Sequence, residues 1–357
     1  MSYSFIVFSD LHIHEWSYGS KIISGYNSRL IGQVDAVLQL VRYAKEHDVQ
    51  DVFFSGDFFH TSTVTAEVSQ AATDIGLAFK KNNLNLYVID GNHDQANKDG
   101  SKNALYLFKG WDGGIEYHGH IDEPIVLPRA KDIEMYFSSF THDKEVLKSR
   151  LKKITPRSLV FLHQGVGGVE INSKGFTLNE ILTPDMVPEC LQTFTGHYHS
   201  HKHVTDRLTI PGSLIQLNWG DTGECRGWLH CQVDGDYIRM DQIKSKASKF
   251  VQIHSPAELP NDQIVGNFIR LVTEDHNPSF IEDAARELSK AGAESVEVKT
   301  VIQLDKSVQQ VETKQFNSLN EIIYAYAYEK ERAGVITEYD RLVGEQLLKD
   351  NYQVPTI

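Results

Sequence analysis

The sequence predicts an α/β fold whose strands end at one shared polar edge, followed by a small α+β cap and a C-terminal helical hairpin. Short apolar runs alternate with amphipathic helical stretches through the first 90 residues, the signature of strands flanked by helices. Several of those runs stop abruptly at Gly, Asp, Asn or His, where open α/β sheets place ligands. Beyond residue 245 the pattern changes to one strand–helix–strand unit and then to two capped helical stretches.

Residues 4–9 read as a first buried strand ending in Asp10-Leu11-His12. Asn27 or Ser28 then caps a helix to about residue 45, with Leu30, Val34, Val37, Leu38 and Val41 on one face. Val52-Phe53-Phe54 is a second strand, ending in Gly56-Asp57-Phe58-Phe59-His60. After a helix over about 65–81, the run 86–89 delivers Gly91-Asn92-His93-Asp94. Residues 98–108 have helical spacing, 134–140 strand character, and 143–153 form a basic helix. The basic cluster Lys144, Lys148, Arg150, Lys152, Lys153 and Arg157 reads as a solvated face, with contact to a DNA backbone as the alternative. Residues 158–162 are a strand ending in His163, and 193–195 one ending in Gly196-His197-Tyr198-His199. Residues 210–213, 228–233 and 237–243 suggest antiparallel strands completing a second sheet. The polar stretch 244–249 is a joint, 268–302 a strand–helix–strand, and 305–314 a weakly patterned linker. Ser318 with Glu321 and Thr337 with Asp340 resemble N-capping boxes framing a hairpin.

At 357 residues the chain suits two or three domains, and 41% hydrophobic with 23% charged residues is the balance of a globular protein. No stretch is long and apolar enough to span a bilayer and no leader pattern precedes the first strand, which predicts a cytoplasmic protein without a membrane partner. Cys190, Cys225 and Cys231 are too few and too irregular for a disulfide framework or a thiolate zinc site. A formal charge of −13 opposes non-specific nucleic-acid binding over the whole surface, while leaving room for a local groove.

Asp10, His12, Asp57, Asn92, His163, His197 and His199 all follow apolar runs, so a common set of strand ends can gather them. If these segments are extended, Asp10 with His12, and His197 with His199, each face one way. Carboxylate, amide and imidazole ligands without thiolate suit manganese, iron or zinc rather than calcium or a structural zinc. Seven ligands exceed the needs of one such ion and match two ions sharing a carboxylate. Two divalent ions against two carboxylates leave a net positive centre that attracts an anion and activates water, as phosphoester hydrolysis requires.

In this order the segments Asp10-Leu11-His12, Gly56-Asp57, Gly91-Asn92-His93-Asp94, His163 and Gly196-His197-Tyr198-His199 resemble the motifs of the calcineurin-like metallophosphoesterases. Gly56-Asp57-Phe58-Phe59-His60 is similar to the SbcD-type DNA double-strand-break repair nucleases. These include phage recombination endonuclease subunits and the eukaryotic meiotic recombination nuclease. The Asp-Arg-Gly continuation of protein Ser/Thr phosphatases is absent. The resemblance covers residues 1 to about 240; the cap and hairpin match in order and size only.

The resemblance implies a four-layer β-sandwich with flanking helices over 1–244, an α+β capping and DNA-binding domain over 245–304, a linker at 305–317, and a hairpin at 318–357. It implies that Asp10, His12, Asp57 and His199 hold one ion, and Asp57, Asn92, His163 and His197 the other. The ions would be manganese first, with iron, zinc or magnesium as alternatives. His93 would be the transition-state stabiliser or acid, oriented by Asp94, and His60 would place the phosphate or the strand. The implied activity is 3′–5′ exonuclease and single-strand endonuclease action on DNA ends in recombination and repair. It would be carried out by a homodimer, paired through the 65–81 helix and bound by its hairpin to an SbcC-type, SMC-like ATPase. The competing readings are a small-molecule phosphatase or phosphodiesterase using the same centre, and a non-catalytic DNA-end scaffold.

Overall fold

Side chains alternate along Tyr3–Phe8, and both faces of that strand are buried: Phe5 and Val7 enter one core, Ile6 and Phe8 another. Asp51–Ser55 and Asn85–Ile89 behave the same way, with Phe53, Tyr87 and Ile89 on the first face and Val52, Phe54, Leu86 and Val88 on the second. The computed structural model describes residues 2–119, 123–170, 177–258 and 260–301, so the expected linker and helical hairpin lie outside the described residues.

These strands pair in parallel, Tyr3–Phe8 with Asp51–Ser55, then Asn85–Ile89, then Ile115–Tyr117. A second six-stranded sheet is built on Ser158–His163, parallel to Glu134–Ser138 on one side and to Gln192–Gly196 on the other. Face to face, the sheets bury an aromatic layer in which the Phe53 and Phe161 rings stack at 4.1 Å and Phe5 meets Phe53 edge-on. Helices Ser28–Glu46 and Ala66–Lys81 cover the outer face of the first sheet, capped by Asn27 and Thr65. Leu147 and Leu151 of helix Lys144–Leu151 pack on Val160 and Leu162 outside the second. The order is helix, sheet, sheet, helix: the four-layer α/β sandwich expected from the sequence.

Two expectations are corrected. The hairpin Gly227–Asp234 and Tyr237–Lys244 extends the first sheet, not the second, pairing antiparallel with Tyr3–Phe8. Its Leu229, Cys231 and Val233 complete the aromatic core from an edge that the parallel strands leave open. Alternation located these strands but could not say which sheet they join. Residues 98–103 are turns rather than helix, and only Ala104–Phe108 forms a 3-10 turn. Asn97 accepts from the Lys102 N–H and Asp99 from the Ser101 N–H, local bonds that compete with helix formation.

The C-terminal part of the described chain is a parallel three-stranded sheet of Phe250–Ile253, Phe268–Thr273 and Ser295–Thr300. Helix Pro278–Lys290 buries Ala284 and Leu288 against Ile269 and Leu271. The described chain up to Val301 is one compact unit, and the expected boundary at 244/245 lies within it. Within the basic cluster, Lys148 pairs with Glu145 at 2.7 Å and Arg157 with Asp236 at 2.9 Å, and Arg150 donates to Ser138 Oγ and the Ser139 carbonyl. These contacts give part of the cluster a structural use.

Phe53→Ala should remove the centre of the inter-sheet aromatic layer and cost about 3–5 kcal/mol. Urea unfolding monitored by circular dichroism would show this as a lower midpoint with an unchanged slope.

Candidate metal centre

The parallel strands of both sheets deliver their C-terminal ends to one edge, and the backbone turns there in unusual ways. Asp10, His12, Asp57 and His197 have φ of 52°, 46°, 59° and 95°, in the left-handed half of backbone space that L-residues seldom occupy. The segments are therefore not extended, and simple two-residue alternation does not explain how their side chains converge. His197 and His199 in fact join different groups. Backbone bonds zip the first two loops together: Asp10 N–H to the Gly56 carbonyl at 3.0 Å, His12 N–H to Asp57 at 3.0 Å and Ile13 N–H to Phe58 at 2.8 Å.

Three groups of possible ligands result among the described residues, each with ligand atoms mutually within 4.8 Å. Asp10, His12 and His199 form the first and Asp57, His163 and His197 the second; His12 also lies in a third, with His60 and His93. Asn92 joins the second group, its Oδ1 lying 3.3 Å from His163 Nε2 and 2.9 Å from His197 Nδ1. Asp57 Oδ2 lies between the groups, 3.6 Å from His12 Nε2 and 3.3 Å from His163 Nε2. The approach is possible because residue 91 is glycine: a Cβ there would sit 2.1 Å from Asp57 Oδ1.

The donor set fits divalent cations. His12 Nε2 is buried without a hydrogen-bond partner among the described residues, an open acceptor beside a carboxylate. Ligands around an ion at about 2.1 Å stand roughly 3–3.5 Å apart, close to the spacings found here. His163 Nδ1–H donates to the Ser55 carbonyl at 2.7 Å, which aims Nε2 at Asp57. Burial would lower this imidazole, but Asp57 and Asp10 outweigh it and raise it to about 9, so an ion at Nε2 would displace a proton. Burial holds the His12 imidazole well below its usual range; burial with the His163 charge holds His197 down to about 4, so both are neutral rings. Burial would raise the Asp57 carboxyl, but the His163, His12 and His93 imidazoles outweigh it and hold the group well below the ordinary carboxylate range.

The expected catalytic residues lie beside the clusters, with different partners from those anticipated. His93 Nδ1–H donates to the His60 carbonyl at 2.7 Å, and its backbone N–H donates to Asp57 Oδ1 at 2.9 Å. Asp94 does not orient the His93 ring. Its oxygens accept the N–H groups of Phe59 at 2.8 Å, Gly91 at 2.9 Å and Phe58 at 3.1 Å. The turn that carries His93 aims Asp94 back into the protein, where it binds the second and third ligand loops together. The His60 ring is 4.3 Å from Trp16 and 5.2 Å from His93, and its Nδ1 is 3.4 Å from His12 Nδ1. Burial and the His93 imidazole hold His60 down to about 4, so it is a neutral group at the rim.

The family model for the calcineurin-like phosphoesterases matches residues 3–201, which contain every one of these side chains. The chain belongs to that family. It is a metal-binding phosphoester hydrolase with the family's α/β fold, and the family implies divalent ions at the clusters. Over 237 residues the chain is 25% identical to the DNA double-strand break repair protein Mre11 of Archaeoglobus fulgidus, covering 59% of this chain and 52% of that protein. The chain thus matches about half the length of that curated relative. Among solved structures it is similar to a dimetal phosphatase from Danio rerio, at 10% identity, a TM-score of 0.45 and 68% and 96% coverage of the two chains. A protein of Thermus thermophilus matches at 11% identity and a TM-score of 0.41, with 68% and 99% coverage.

Sequence reasoning missed two carboxylates beside this hydrolase site. Glu180 Oε1 lies 3.9 Å from His197 Nε2, and Asp221 Oδ1 lies 3.7 Å from His199 Nδ1. Neither ends a strand, and neither falls in a recognisable motif. Asn218 and Asp221 do form a capping box around Trp219–Asp221, a weak local signal of an ordered turn.

Gly91→Ala would force Asp57 out of place, so the variant should fold yet bind manganese at least tenfold more weakly by calorimetry. Gly32→Ala is the control: nothing lies within 4 Å of its added methyl in the helix Ser28–Glu46, so metal binding should be unchanged.

Proposed function

We propose that this phosphoesterase is a two-metal DNA nuclease subunit, with 3′–5′ exonuclease and single-strand endonuclease activity on DNA ends. Asp10, His12, Asp57 and His199 hold one ion; Asp57, Asn92, His163 and His197 hold the other. The observation that carries the two-ion reading is the position of Asp57 Oδ2, flanked by His12 Nε2 of one group and His163 Nε2 of the other. Manganese is the preferred occupant, on the grounds of mixed oxygen and imidazole ligands without thiolate. The DNA reading draws support from the match to the Archaeoglobus repair protein and from the Phe58-Phe59-His60 continuation after Asp57.

Ions bound there would supply positive charge toward a phosphoryl group and acidify a water at neutral pH. The chain's own residues do the rest. With His93 Nδ1–H anchored on the His60 carbonyl, Nε2 is the atom left to carry a proton to the departing oxygen. Asp94 keeps that turn in register through three backbone N–H groups. The His60 ring, at the rim beside Trp16, guides the substrate toward His93. In this reading the sheet within 250–300 contacts DNA, the helix Ala66–Lys81 pairs two copies, and residues 318–357 bind an SMC-like ATPase of the SbcC type.

The deciding assay is manganese-dependent hydrolysis of single-stranded DNA, duplex ends and a chromogenic phosphodiester, with and without a candidate ATPase. The nuclease reading expects DNA cleavage; turnover of the chromogenic ester alone points to a small-molecule phosphodiesterase, and no turnover with bound metal to a scaffold. Chelation should abolish hydrolysis, and added manganese should restore it and raise the melting temperature.

Asp57→Asn should lose both hydrolysis and manganese content, measured by elemental analysis of the purified protein. His93→Leu should keep wild-type manganese content while kcat falls about 10²–10⁴-fold. Loss of metal from the His93 variant would contradict its assignment as a proton carrier rather than a ligand.

A further inference from the structure

We infer that Asp221 is the positioning residue for His199, fixing which imidazole nitrogen faces the metal centre. The inference rests on the two-ion reading above and adds a group that no strand-end motif contains. His199 turns Nδ1 toward Asp221 Oδ1, 3.7 Å away, an ion-pair distance that a small ring rotation would close to a hydrogen bond. Nε2 would then be the nitrogen left for the cluster with Asp10 and His12. A carboxylate opposite the far nitrogen of a ligating histidine sets its tautomer and raises its basicity.

Asp221 is itself held rigidly. Its Oδ2 accepts the Leu217 N–H at 2.7 Å, and its Oδ1 accepts from Arg226 Nη2 at 2.8 Å. Both Asp221 and Arg226 are buried, at 6% and 5% exposure. Breaking one partner of so buried a pair is normally costly, which keeps the carboxylate in place. Arg226 also binds Glu224 at 2.7 Å, so it is shared between two carboxylates, and of these Asp221 faces His199.

The turn that carries Asp221 is clamped from the other side by the C-terminal three-stranded sheet. The Trp219 ring lies 4.9 Å from Phe250, and the Arg270 guanidinium sits 3.9 Å above it. The Trp219 indole N–H donates to the Tyr18 hydroxyl, which donates in turn to Glu297. A side chain seated on this sheet is therefore next but one in sequence to the carboxylate that faces a metal ligand.

Asp221→Asn tests the assignment. An amide can still accept from Leu217 N–H, but it then turns its NH₂ toward His199 and Arg226. Nδ1 of His199 would have to accept, Nε2 would carry the proton, and the ligand atom would be lost. The variant should bind manganese with one of two sites weakened about 10–100-fold by calorimetry. Its metal-free melting temperature should also fall, because the buried Arg226 guanidinium loses a carboxylate partner. Glu224→Gln, which removes the other carboxylate from the same arginine, should retain both sites. Wild-type affinity at both sites in Asp221→Asn, or an equal loss in Glu224→Gln, would overturn the assignment.

A second measurement needs no variant. In the zinc-loaded wild-type protein, ¹⁵N–¹H correlation spectra should show His199 protonated at Nδ1 and bound through Nε2. The opposite tautomer refutes the role of Asp221 even if the two-ion centre stands. Failure of the wild-type protein to bind two ions removes that centre, and this inference with it.

Discussion

One hydrogen bond ties the two sheets together where the chemistry sits: His163 Nδ1–H, at the end of one sheet, donates to the Ser55 carbonyl at the end of the other, at 2.7 Å. The contact requires residue 56 to be glycine, since a Cβ there would lie 2.3 Å from the same nitrogen. Behind it, the aromatic layer of Phe5, Phe53, Phe161 and Phe194 sets the spacing of the sheets. Ahead of it, the fixed His163 ring places Nε2 within reach of Asp57 and Asn92. Packing and ligand geometry are thus one constraint, because a shift in sheet separation moves His163 relative to both.

Much of this was legible in the residues. Apolar runs that stop at Gly, Asp or His locate the strand ends, and all seven expected ligands are brought together there. The route by which they converge was not legible. Two-residue alternation assumes an extended chain, whereas Asp10, His12, Asp57 and His197 adopt positive φ, which no local pattern announces. Asp221 escaped notice for a related reason. Its importance comes from a contact across 22 residues of chain with His199, and from a buried arginine that a sequence shows only as one more surface charge.

Asp57 and Asp94 show how environment divides roles between two carboxylates of the same loop cluster. Both are buried, at 2% and 0% exposure. Asp94 accepts three backbone N–H groups, which hold its oxygens back among the loops rather than toward the clusters. Asp57 accepts one N–H from His93 on Oδ1 and turns Oδ2 to two imidazole nitrogens. A carboxylate held by backbone donors acts as a brace, while one that turns an oxygen to two imidazoles is placed as a metal ligand would be. Sequence adjacency suggested instead that Asp94 orients the His93 ring, because it carries no information on where the carboxylate oxygens point.

The positive-φ backbone has an energetic consequence that joins these features. Such residues each cost about 1–3 kcal/mol and persist when the surroundings over-determine them. Here the surroundings include the Asp10–Gly56, His12–Asp57 and Ile13–Phe58 backbone bonds and the braces from Asp94 and Asp221. Without an ion, those contacts must also hold the charged His163 imidazole against the buried Asp57 and Asp10 carboxylates and leave His12 Nε2 unsatisfied. A divalent ion held by Asp10, His12, Asp57 and His199 would give that nitrogen a partner and offset the charge of the buried carboxylates. The free energy of metal binding is therefore coupled to the stability of the loops, and loading and local folding are linked in the same residues.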